Sequence, residues 1–156
     1  MHTRAATIDN TQMPTSSEIA QIRKDRIDLF GNLEGPDTHS RFFDRVADDV
    51  DWTVEGTHPI AGRYHGKQNF IHRAFGRWGP ILMGGLKMKL EHIYVDGDTT
   101  IVELLSTSTT AEGAPFSNRY CWVCRFRDEA IVEVRAYFDS MMVTYTILRN
   151  ERALSE

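Results

Sequence analysis

Four side chains of this 156-residue sequence are candidates for acid–base chemistry: Glu55, His58, His72 and Tyr120. Glu55 and His58 lie in "EGTHPIAGRYHG", whose Gly and Pro content predicts a long loop. A histidine titrates in the range useful to a general base, so this loop could supply one, or the pair could be exposed with no role. Tyr120 could donate a hydrogen bond to a carbonyl, or satisfy its hydroxyl against a neighbour. His72 and His92 fit packing or surface positions.

One more carboxylate, Asp139, lies in "EVRAYFDS" (133–140), close to an arginine and a tyrosine. It could be catalytic, or it could be the charged end of a strand. Successive side chains of a strand alternate between its two faces. Alternation puts one set on one face (Glu133, Arg135, Tyr137 and Asp139) and an apolar set on the other (Val134, Ala136 and Phe138).

The cysteines, Cys121 and Cys124 in "YCWVCRF", imitate a redox spacing but lie in a strand-like run. Redox chemistry at this spacing needs a helix N-terminus to lower the pKa of a thiol. In a strand, residues three positions apart point to opposite faces. We therefore predict two packing residues with reduced thiols, as in a cytoplasmic protein.

Composition argues against several classes of protein. The chain is 41% hydrophobic and 26% charged, which is typical of globular domains. A net charge of -4 without any basic run argues against a nucleic-acid partner. No apolar stretch approaches the roughly 20 residues of a membrane helix, and no signal-peptide core is present, so a cytoplasmic location is expected. No metal-ligand spacing or phosphate-binding Gly-rich loop occurs, so we predict neither a metal nor a cofactor.

The hydrophobic pattern of the elements that must position these residues changes half-way along the chain, from a helical period to a strand period. "TSSE" has the form of a capping box and begins the first of three predicted helices. Strand-like alternation then covers five segments: 50–54, 86–95, 99–110, 116–126 and 130–139. Three N-terminal helices packed on a mostly antiparallel sheet, with four consecutive strands as a meander, make an α+β domain.

The expected domain covers residues 15–149. Residues 1–14 are polar and aperiodic and predict a disordered leader, and 150–156 predict a frayed C-terminus. "MMVTYTIL" (141–148) would finish the domain as a helix or as an edge segment. The turn in "RDEAI" would place Glu129 in left-handed backbone, which predicts a longer loop or a different turn type.

Two long segments, "ADDVDWTVEGTHPIAGRYHG" and "NRYCWVCRFRDEAIVEVRAYFD", resemble the SnoaL-like branch of the nuclear transport factor two-like superfamily. That superfamily includes ketosteroid isomerases, polyketide cyclases and limonene-epoxide hydrolases, so its fold names no activity. The resemblance implies a cone-shaped α+β barrel, in which a strongly curved sheet encloses a pocket. It also implies a homodimer formed through the sheet.

The resemblance identifies mechanisms that this sequence has lost. In the epoxide-hydrolase-like pattern, Leu104 takes the position of the arginine, and Ser106 and Ala136 take those of the two aspartates. In the ketosteroid-isomerase-like pattern, Val54 takes the position of the base and Trp122 that of a protonated acid. An indole N–H donates a hydrogen bond but cannot exchange a proton. Both mechanisms are therefore disfavoured.

The matched strand faces form the expected pocket wall. Its side chains are aromatic and mostly apolar, with a few polar groups: Trp52, Val54, Ser106, Asn118, Trp122, Ala136 and Phe138. Such a wall suits a small hydrophobic ligand with one or two oxygens, although some of these aromatics could simply fill the interior. Asp139 then lies outside the cavity. It could serve the outer surface of the sheet, a dimer contact or the turn after the strand.

Two functions remain open at this point. One is an acid–base isomerase, cyclase or dehydratase acting on a polyketide-, terpenoid- or steroid-like compound. Its base would come from the loop of Glu55 and His58, and its hydrogen-bond donor would be Tyr120 or Trp122. The other is a non-catalytic ligand-binding or dimerisation domain, which the lost catalytic positions favour. The expected partners are a small hydrophobic ligand and a second copy of the chain.

Overall fold

A computed structural model describes residues 13–155, in which four α-helices flank the sheet. They are α1 (Ser16–Gly31), α2 (His39–Phe43), α3 (Lys67–Arg73) and α4 (Ser140–Ser155). The predicted capping box of α1 is confirmed, because the Thr15 hydroxyl accepts from the Glu18 N–H at 3.2 Å and the Glu18 carboxylate accepts from the Thr15 N–H at 2.6 Å. Residues 1–12 of the predicted leader lie outside the described part.

Eight strands form one large sheet and one small ribbon. They are β1 (Val46–Val54), β2 (Gly62–His65), β3 (Met88–Asp96), β4 (Thr99–Ser106), β5 (Ser108–Thr109), β6 (Pro115–Phe116), β7 (Arg119–Arg127) and β8 (Ala130–Phe138). The six-stranded sheet has the order β2-β1-β8-β7-β4-β3, and β5 pairs with β6. Only the pairing of β1 with β8 is parallel within the described sheet. The predicted α+β class and mostly antiparallel sheet are confirmed.

Three register irregularities interrupt the large sheet: in the β1–β8, β3–β4 and β7–β8 pairs. Such bulges bend a strand and increase its twist. Helix α1 packs against β3, while α3 packs against β1 and β2. The helices therefore cover one face of the sheet, and the buried aromatic core lies between them and that face.

Strand β2 lies where the sequence predicted an uninterrupted loop. Tyr64 pairs with Trp52 of β1 and is buried, whereas the neighbouring Arg63 and His65 are exposed beside Asp51. This strand is short and mostly polar, so its pattern alone does not distinguish it from a loop. The residues of β1 that it pairs with lie 8 to 14 positions earlier in the sequence.

Helix α4 extends to Ser155, into the segment 150–156 that the sequence predicted as a frayed C-terminus. Asn150 is only 3% exposed, and its amide donates to the Thr146 carbonyl at 2.9 Å. Arg77 makes two hydrogen bonds to the Glu151 carboxylate, at 2.7 and 3.0 Å. Burial and this ion pair hold the last turns of α4 on the domain.

The turn between β7 and β8 is also tighter than predicted. Arg127 pairs with Ala130, so only two residues connect the strands. Asp128, with φ of 55°, takes the left-handed conformation instead of Glu129. Asp tolerates that region better than most residues, which lets the short turn form without a glycine.

Candidate functional site

An apolar cavity lies where the inner face of the sheet meets α3 and the 3-10 turn Phe75–Trp78. Its wall consists of Trp52, Val54, Ile60, Phe70, Ala74, Phe75, Trp78, Leu86, Tyr120, Trp122, Ala136 and Phe138. The cavity volume is about 30 Å³, enough for one or two water molecules. A larger ligand therefore requires some of these side chains to move.

Five of the seven predicted pocket residues line this cavity: Trp52, Val54, Trp122, Ala136 and Phe138. The other two, Ser106 and Asn118, do not line it although both are 1% exposed. The Ser106 hydroxyl accepts from the Ser108 N–H at 3.3 Å, which ties it to the strand end. The Asn118 side-chain oxygen accepts from the Asp139 N–H at 3.2 Å, which ties Asn118 to the end of β8.

The cavity wall carries three buried hydrogen-bond donors that have no partner within the described residues. They are the indole nitrogens of Trp52 and Trp122 and the hydroxyl of Tyr120. The Trp52 and Trp122 rings meet edge to face at 5.2 Å, and the Tyr120 ring lies 6.5 Å from Trp122. Buried polar groups in folded proteins almost always have a partner, which sets these three donors apart from the rest of the apolar wall.

Strand pairing brings the three donors together. Trp122 and Tyr120 are inward-facing neighbours on β7, separated by two positions. Trp52 of β1 and Trp122 pair with adjacent inward residues of β8, Val134 and Ala136. Ala136 has the smallest side chain among these inward-facing residues. It therefore leaves space on the inner face of the sheet, between the larger rings beside it.

Burial raises the pKa of Tyr120 well above its ordinary value. The Asn118 side chain beside the hydroxyl opposes this rise of the pKa only in part. The phenol therefore stays protonated at neutral pH. It can donate a hydrogen bond but cannot act as a base.

His58 is 6% exposed and does not line the cavity, but it contacts one wall residue from the loop side. Its ring centroid lies 4.6 Å from that of Phe138, a half-buried wall residue that also meets Tyr120 at 5.2 Å. Nε2 of His58 lies 2.9 Å from the backbone carbonyl of Glu55. Because a carbonyl only accepts, the proton of the neutral ring resides on Nε2, and Nδ1 carries the lone pair. That Nδ1 is buried and has no partner within the described residues, so it can accept a proton.

Glu55 contributes its backbone to this arrangement. Its N–H donates to the Ala136 carbonyl at 2.9 Å, and its carbonyl meets His58. The Glu55 carboxylate is half-exposed and makes no hydrogen bond or ion pair among the described residues. The two predicted base candidates are therefore neighbours, but they do not form a carboxylate–imidazole pair.

Gly56 makes room for the His58 ring. Its φ is +120°, and a Cβ there would lie 2.6 Å from the Ser140 hydroxyl and 2.8 Å from Cδ2 of His58. Any side chain would thus clash with both the start of α4 and the imidazole. The glycine allows the loop to fold between them.

Residues 28–134 match the SnoaL-like domain family. The chain belongs to the SnoaL-like family. This match covers more than half of the sequence and confirms the resemblance found in the strand motifs.

One curated relative of this SnoaL-like chain is the dimerizing cyclase phiC of Fungal sp. (strain ATCC 74256). It is 30% identical over 128 residues, which make up 80% of this chain and 56% of the relative. The chain thus spans just over half the length of the curated relative that it matches.

Solved structures share the fold at lower identity. An NTF2-like protein from Burkholderia thailandensis is 24% identical with a TM-score of 0.65, covering 79% of this chain and 95% of that one. TerC, co-crystallized with polyporic acid, is 15% identical with a TM-score of 0.65, covering 80% and 98%. These likenesses establish the fold alone.

The SnoaL-like cavity also has a second wall that strand alternation did not predict. Phe70, Ala74 and Trp78 come from α3 and the turn after it, and Ile60 and Leu86 come from loops. The spacing of Phe70, Ala74 and Trp78 is a helical i, i+4, i+8 stripe, which was available in the sequence. The sequence did not indicate which face of the sheet this helical stripe would pack against.

Asp139 lies outside the cavity wall, as predicted. Its carboxylate accepts from the N–H groups of Met141 and Met142, at 3.0 and 3.1 Å. These contacts are those of a helix N-cap, so Asp139 serves the turn from β8 into α4.

The remaining sequence candidates lie away from the cavity. Cys124 is fully buried and Cys121 partly exposed, and both are free thiols on opposite faces of β7, as predicted. Burial raises the pKa of both thiols, which makes them poor nucleophiles. His72 and His92 are exposed.

Within residues 13–155, no helix is long and apolar enough to cross a membrane. In the same part of the chain, no three His, Cys, Asp or Glu side chains are grouped to hold a metal ion. The cytoplasmic location stays a prediction.

Proposed function

We propose that this SnoaL-like domain is a cofactor-independent acid–base enzyme of the cyclase type, acting on a small apolar compound that carries a carbonyl group. The observation that carries the proposal is the unpartnered Tyr120 hydroxyl and Trp122 indole on an otherwise apolar wall. The relative named a dimerizing cyclase favours ring closure among the reactions that such a site could run.

His58 is the proposed base, acting through Nδ1. It removes a proton from the carbon next to the carbonyl, and the electron pair of that C–H bond moves onto the oxygen as an enolate. Tyr120 and Trp122 stabilise the negative oxygen by hydrogen bonding, which is strong inside an apolar cavity. The enolate carbon then attacks a second carbonyl carbon of the same ligand, the π pair of that C=O bond moves onto its oxygen as an alkoxide, and His58 returns the proton to this oxygen to leave a hydroxyl.

Glu55 is the second candidate base. Its carboxylate is half-exposed and does not contact the His58 side chain, so we assign proton abstraction to His58. The proposed role of Glu55 is to hold the proton on Nε2 through its backbone carbonyl. Glu55→Gln should therefore keep most of the activity.

Phe138 is the proposed entrance of the cavity. Its ring is half-buried and contacts both His58 and Tyr120. The ring centroids lie 4.6 Å from His58 and 5.2 Å from Tyr120. Rotation of this ring would enlarge the 30 Å³ cavity and bring His58 and Tyr120 to the same space. Phe138 is one of two half-buried rings of the wall, with Phe75, and it is the one that contacts both His58 and Tyr120, so its movement is the proposed opening step.

Deuterium exchange tests this proposal without knowledge of the natural substrate. In D₂O, the protein should accelerate loss of the α-protons of cyclohexanone or 2-tetralone, followed by ¹H NMR. His58→Gln should reduce the enzyme-dependent rate by a factor of about 100 or more, the usual range for general bases. His72→Gln is the matched control, since His72 is exposed and its side chain is not part of the wall. Equal rates in wild type and His58→Gln would refute the assignment of the base.

Binding without turnover is the second candidate function. It is favoured by the absence of any carboxylate or imidazole among the described wall residues. In that case the same ketones would bind, but they would exchange their α-protons no faster than in buffer with any variant.

We also propose that the domain forms a homodimer through the outer face of its sheet. Tyr137 and Tyr94 are 44% and 55% exposed there, beside Arg and Glu side chains that neutralise each other within the chain and so leave the face without excess charge against a second copy. Light scattering after gel filtration should give twice the chain mass at micromolar concentration. Tyr137→Asp should give a monomer, and a monomeric wild type would exclude this interface.

A further inference from the structure

A second concave site lies at the opposite end of β7 from the apolar cavity. Helix α1, the β3–β4 turn and the β7–β8 turn meet there in a groove of about 440 Å³, compared with about 30 Å³ for the cavity. Tyr120 of the cavity and Phe126 of the groove are six positions apart on β7, about 20 Å along an extended strand. We call this site the hairpin groove, and its charged and aromatic lining residues are Asp25, Arg26, Asp98, Phe126, Asp128 and Glu129. Its volume is that of a small-molecule site.

The inner wall of the hairpin groove carries a buried cation. The Arg26 side chain is 8% exposed, and its guanidinium carbon lies 3.4 Å from the centroid of the Phe126 ring. Nη1 donates to the Asp25 carboxylate at 3.1 Å, the only hydrogen bond of this side chain to the described residues. Nε is buried without a partner in the same part of the chain. A guanidinium has five N–H groups, so Arg26 keeps donors for an acceptor that enters the groove.

Asp25 does not neutralise this cation alone. Its carboxylate also accepts hydrogen bonds from both Nη atoms of Arg45, at 3.1 and 3.0 Å. One carboxylate thus serves two guanidinium groups, which leaves one positive charge in excess at the inner wall. A second carboxylate, supplied by a ligand, would balance that charge.

The rim of the hairpin groove carries the opposite charge. Asp98 lies in the β3–β4 turn, and Asp128 and Glu129 form the β7–β8 turn. All three are exposed, and their carboxylates form no ion pair with the residues that the structure describes. The rim therefore repels an anion, while Arg26 repels a cation. A ligand with one charge of each sign meets a partner for both.

We infer that the hairpin groove binds a small zwitterion of the amino-acid class, with its carboxylate on Arg26 and its ammonium group among Asp98, Asp128 and Glu129. The Phe126 ring covers one face of the guanidinium, so hydrogen bonding falls to the N–H groups in the guanidinium plane, which match a carboxylate. This site goes beyond the proposed function, because the groove and the cavity share no lining residue.

Amino acids of three lengths test the inference in ¹H–¹⁵N titrations of the whole chain: glycine, 4-aminobutyrate and 6-aminohexanoate. Each is compared with the carboxylate of the same carbon number (acetate, butyrate, hexanoate) and with the corresponding amine (ethylamine, butylamine, hexylamine). The amide signal of Gly97, which lines the groove, is the reporter.

At least one amino acid should bind about tenfold or more tightly than both of its analogues, since a hydrogen bond to a charged group contributes at least that much. Amines that bind as tightly as their amino acids would show a cation site, and equally tight carboxylates an anion site. Either result, or an unmoved Gly97 signal with every probe, would overturn the inference.

Arg26→Met separates the two charges of the site. Methionine keeps a contact with the Phe126 ring, and Asp25 keeps both hydrogen bonds from Arg45, so no buried charge is left unpaired. This variant should weaken the best amino acid about tenfold or more and should not weaken its amine. Lys24→Met is the matched control on α1, since Lys24 is exposed outside the groove, and it should leave both affinities unchanged. Unchanged amino-acid binding in Arg26→Met would also overturn the inference.

The double variant Asp128→Asn, Glu129→Gln tests the rim. Asn suits the left-handed backbone of position 128, where φ is 55°, so the turn is kept. Binding of the amino acid should weaken about tenfold, and binding of its carboxylate should not weaken. Equal losses for both probes would contradict the assignment of the ammonium group. The α-proton exchange proposed for the cavity should be the same in these variants as in the wild type, so failure of either proposal leaves the other standing.

Discussion

The two faces of the large sheet are built from alternate residues of the same strands, yet they treat polar groups in opposite ways. On the outer face, charged side chains pair with each other. Glu133 accepts from Arg125 at 3.1 Å and from Arg135 at 2.7 Å, and Asp51 pairs with Arg63. On the inner face, the donors of Trp52, Tyr120 and Trp122 have no partner among the described residues. The outer face thus satisfies its charged groups within the chain, whereas the inner face leaves three buried donors without a partner among the described residues.

Removal of an inner-face ring should have the largest effect on stability. Trp52 is 0% exposed and stacked on Phe70, so Trp52→Ala should lower the free energy of unfolding by about 3–5 kcal/mol. Tyr137→Ala, on the outer face at 44% exposure, should change it by about 0.5 kcal/mol or less. Urea unfolding followed by circular dichroism measures both. Similar losses would show that the two faces do not differ as described.

The loop that carries His58 should be the next most sensitive point. Gly56→Ala combines a φ of +120° with contacts of 2.6 and 2.8 Å, so it should cost about 2–4 kcal/mol. Gly62→Ala is the matched control, since Gly62 has a φ of +146° but nothing within 4 Å of the added Cβ. Its cost should be about 1–2 kcal/mol from backbone strain alone. If both variants unfold at the same urea concentration, Gly56 is not needed to seat His58.

The buried Tyr120 hydroxyl should give the inner face an alkaline pH dependence. Because folding raises the pKa of Tyr120, the folded state holds this proton more tightly than the unfolded chain. Its contribution to stability is complete below about pH 10, the ordinary value for tyrosine, and is lost as the pH rises through the folded-state value. The free energy of unfolding should fall with a slope of at most about 1.4 kcal/mol per pH unit above pH 10, and Tyr120→Phe should remove that part of the slope. Identical alkaline slopes would mean that the hydroxyl is not buried.

Changes to outer-face ion pairs should have the smallest effect. Glu133 bonds two arginines, but its side chain is 31% exposed and the arginines are 48% and 46% exposed. Water and salt screen such pairs, so Glu133→Gln should cost about 1 kcal/mol or less, and the loss should shrink at high salt. A salt-independent loss above about 2 kcal/mol would contradict this description of the outer face.

Local pattern was sufficient to predict one wall of the site. Alternation along β7 and β8 placed Tyr120, Trp122 and Ala136 on the inner face, because side-chain parity in a strand depends only on neighbouring residues. The same parity correctly placed Asp139 outside the cavity. The fold class followed from the change of hydrophobic period and from the family resemblance of the strand motifs.

The rest of the site depends on packing between distant segments. Phe70 and Trp78 reach the cavity only because α3 docks on β1 and β2, which no local pattern specifies. The contact of His58 with the Glu55 carbonyl depends on the backbone of Gly56, not on side-chain types. The cavity volume likewise depends on how the rings pack against each other, which the composition of the chain does not specify.

The carbonyl stretching frequency of bound cyclohexanone tests most directly whether the inner face is a polar recognition site within an apolar wall. Hydrogen bonds from the wall would lower the infrared frequency of the ¹³C-labelled carbonyl below its value in hexane, at least to its value in water. Trp122→Phe and Tyr120→Phe should each return it part of the way toward the hexane value. A hexane-like frequency in the wild-type complex would show that the buried donors do not serve a ligand, and it would contradict the account.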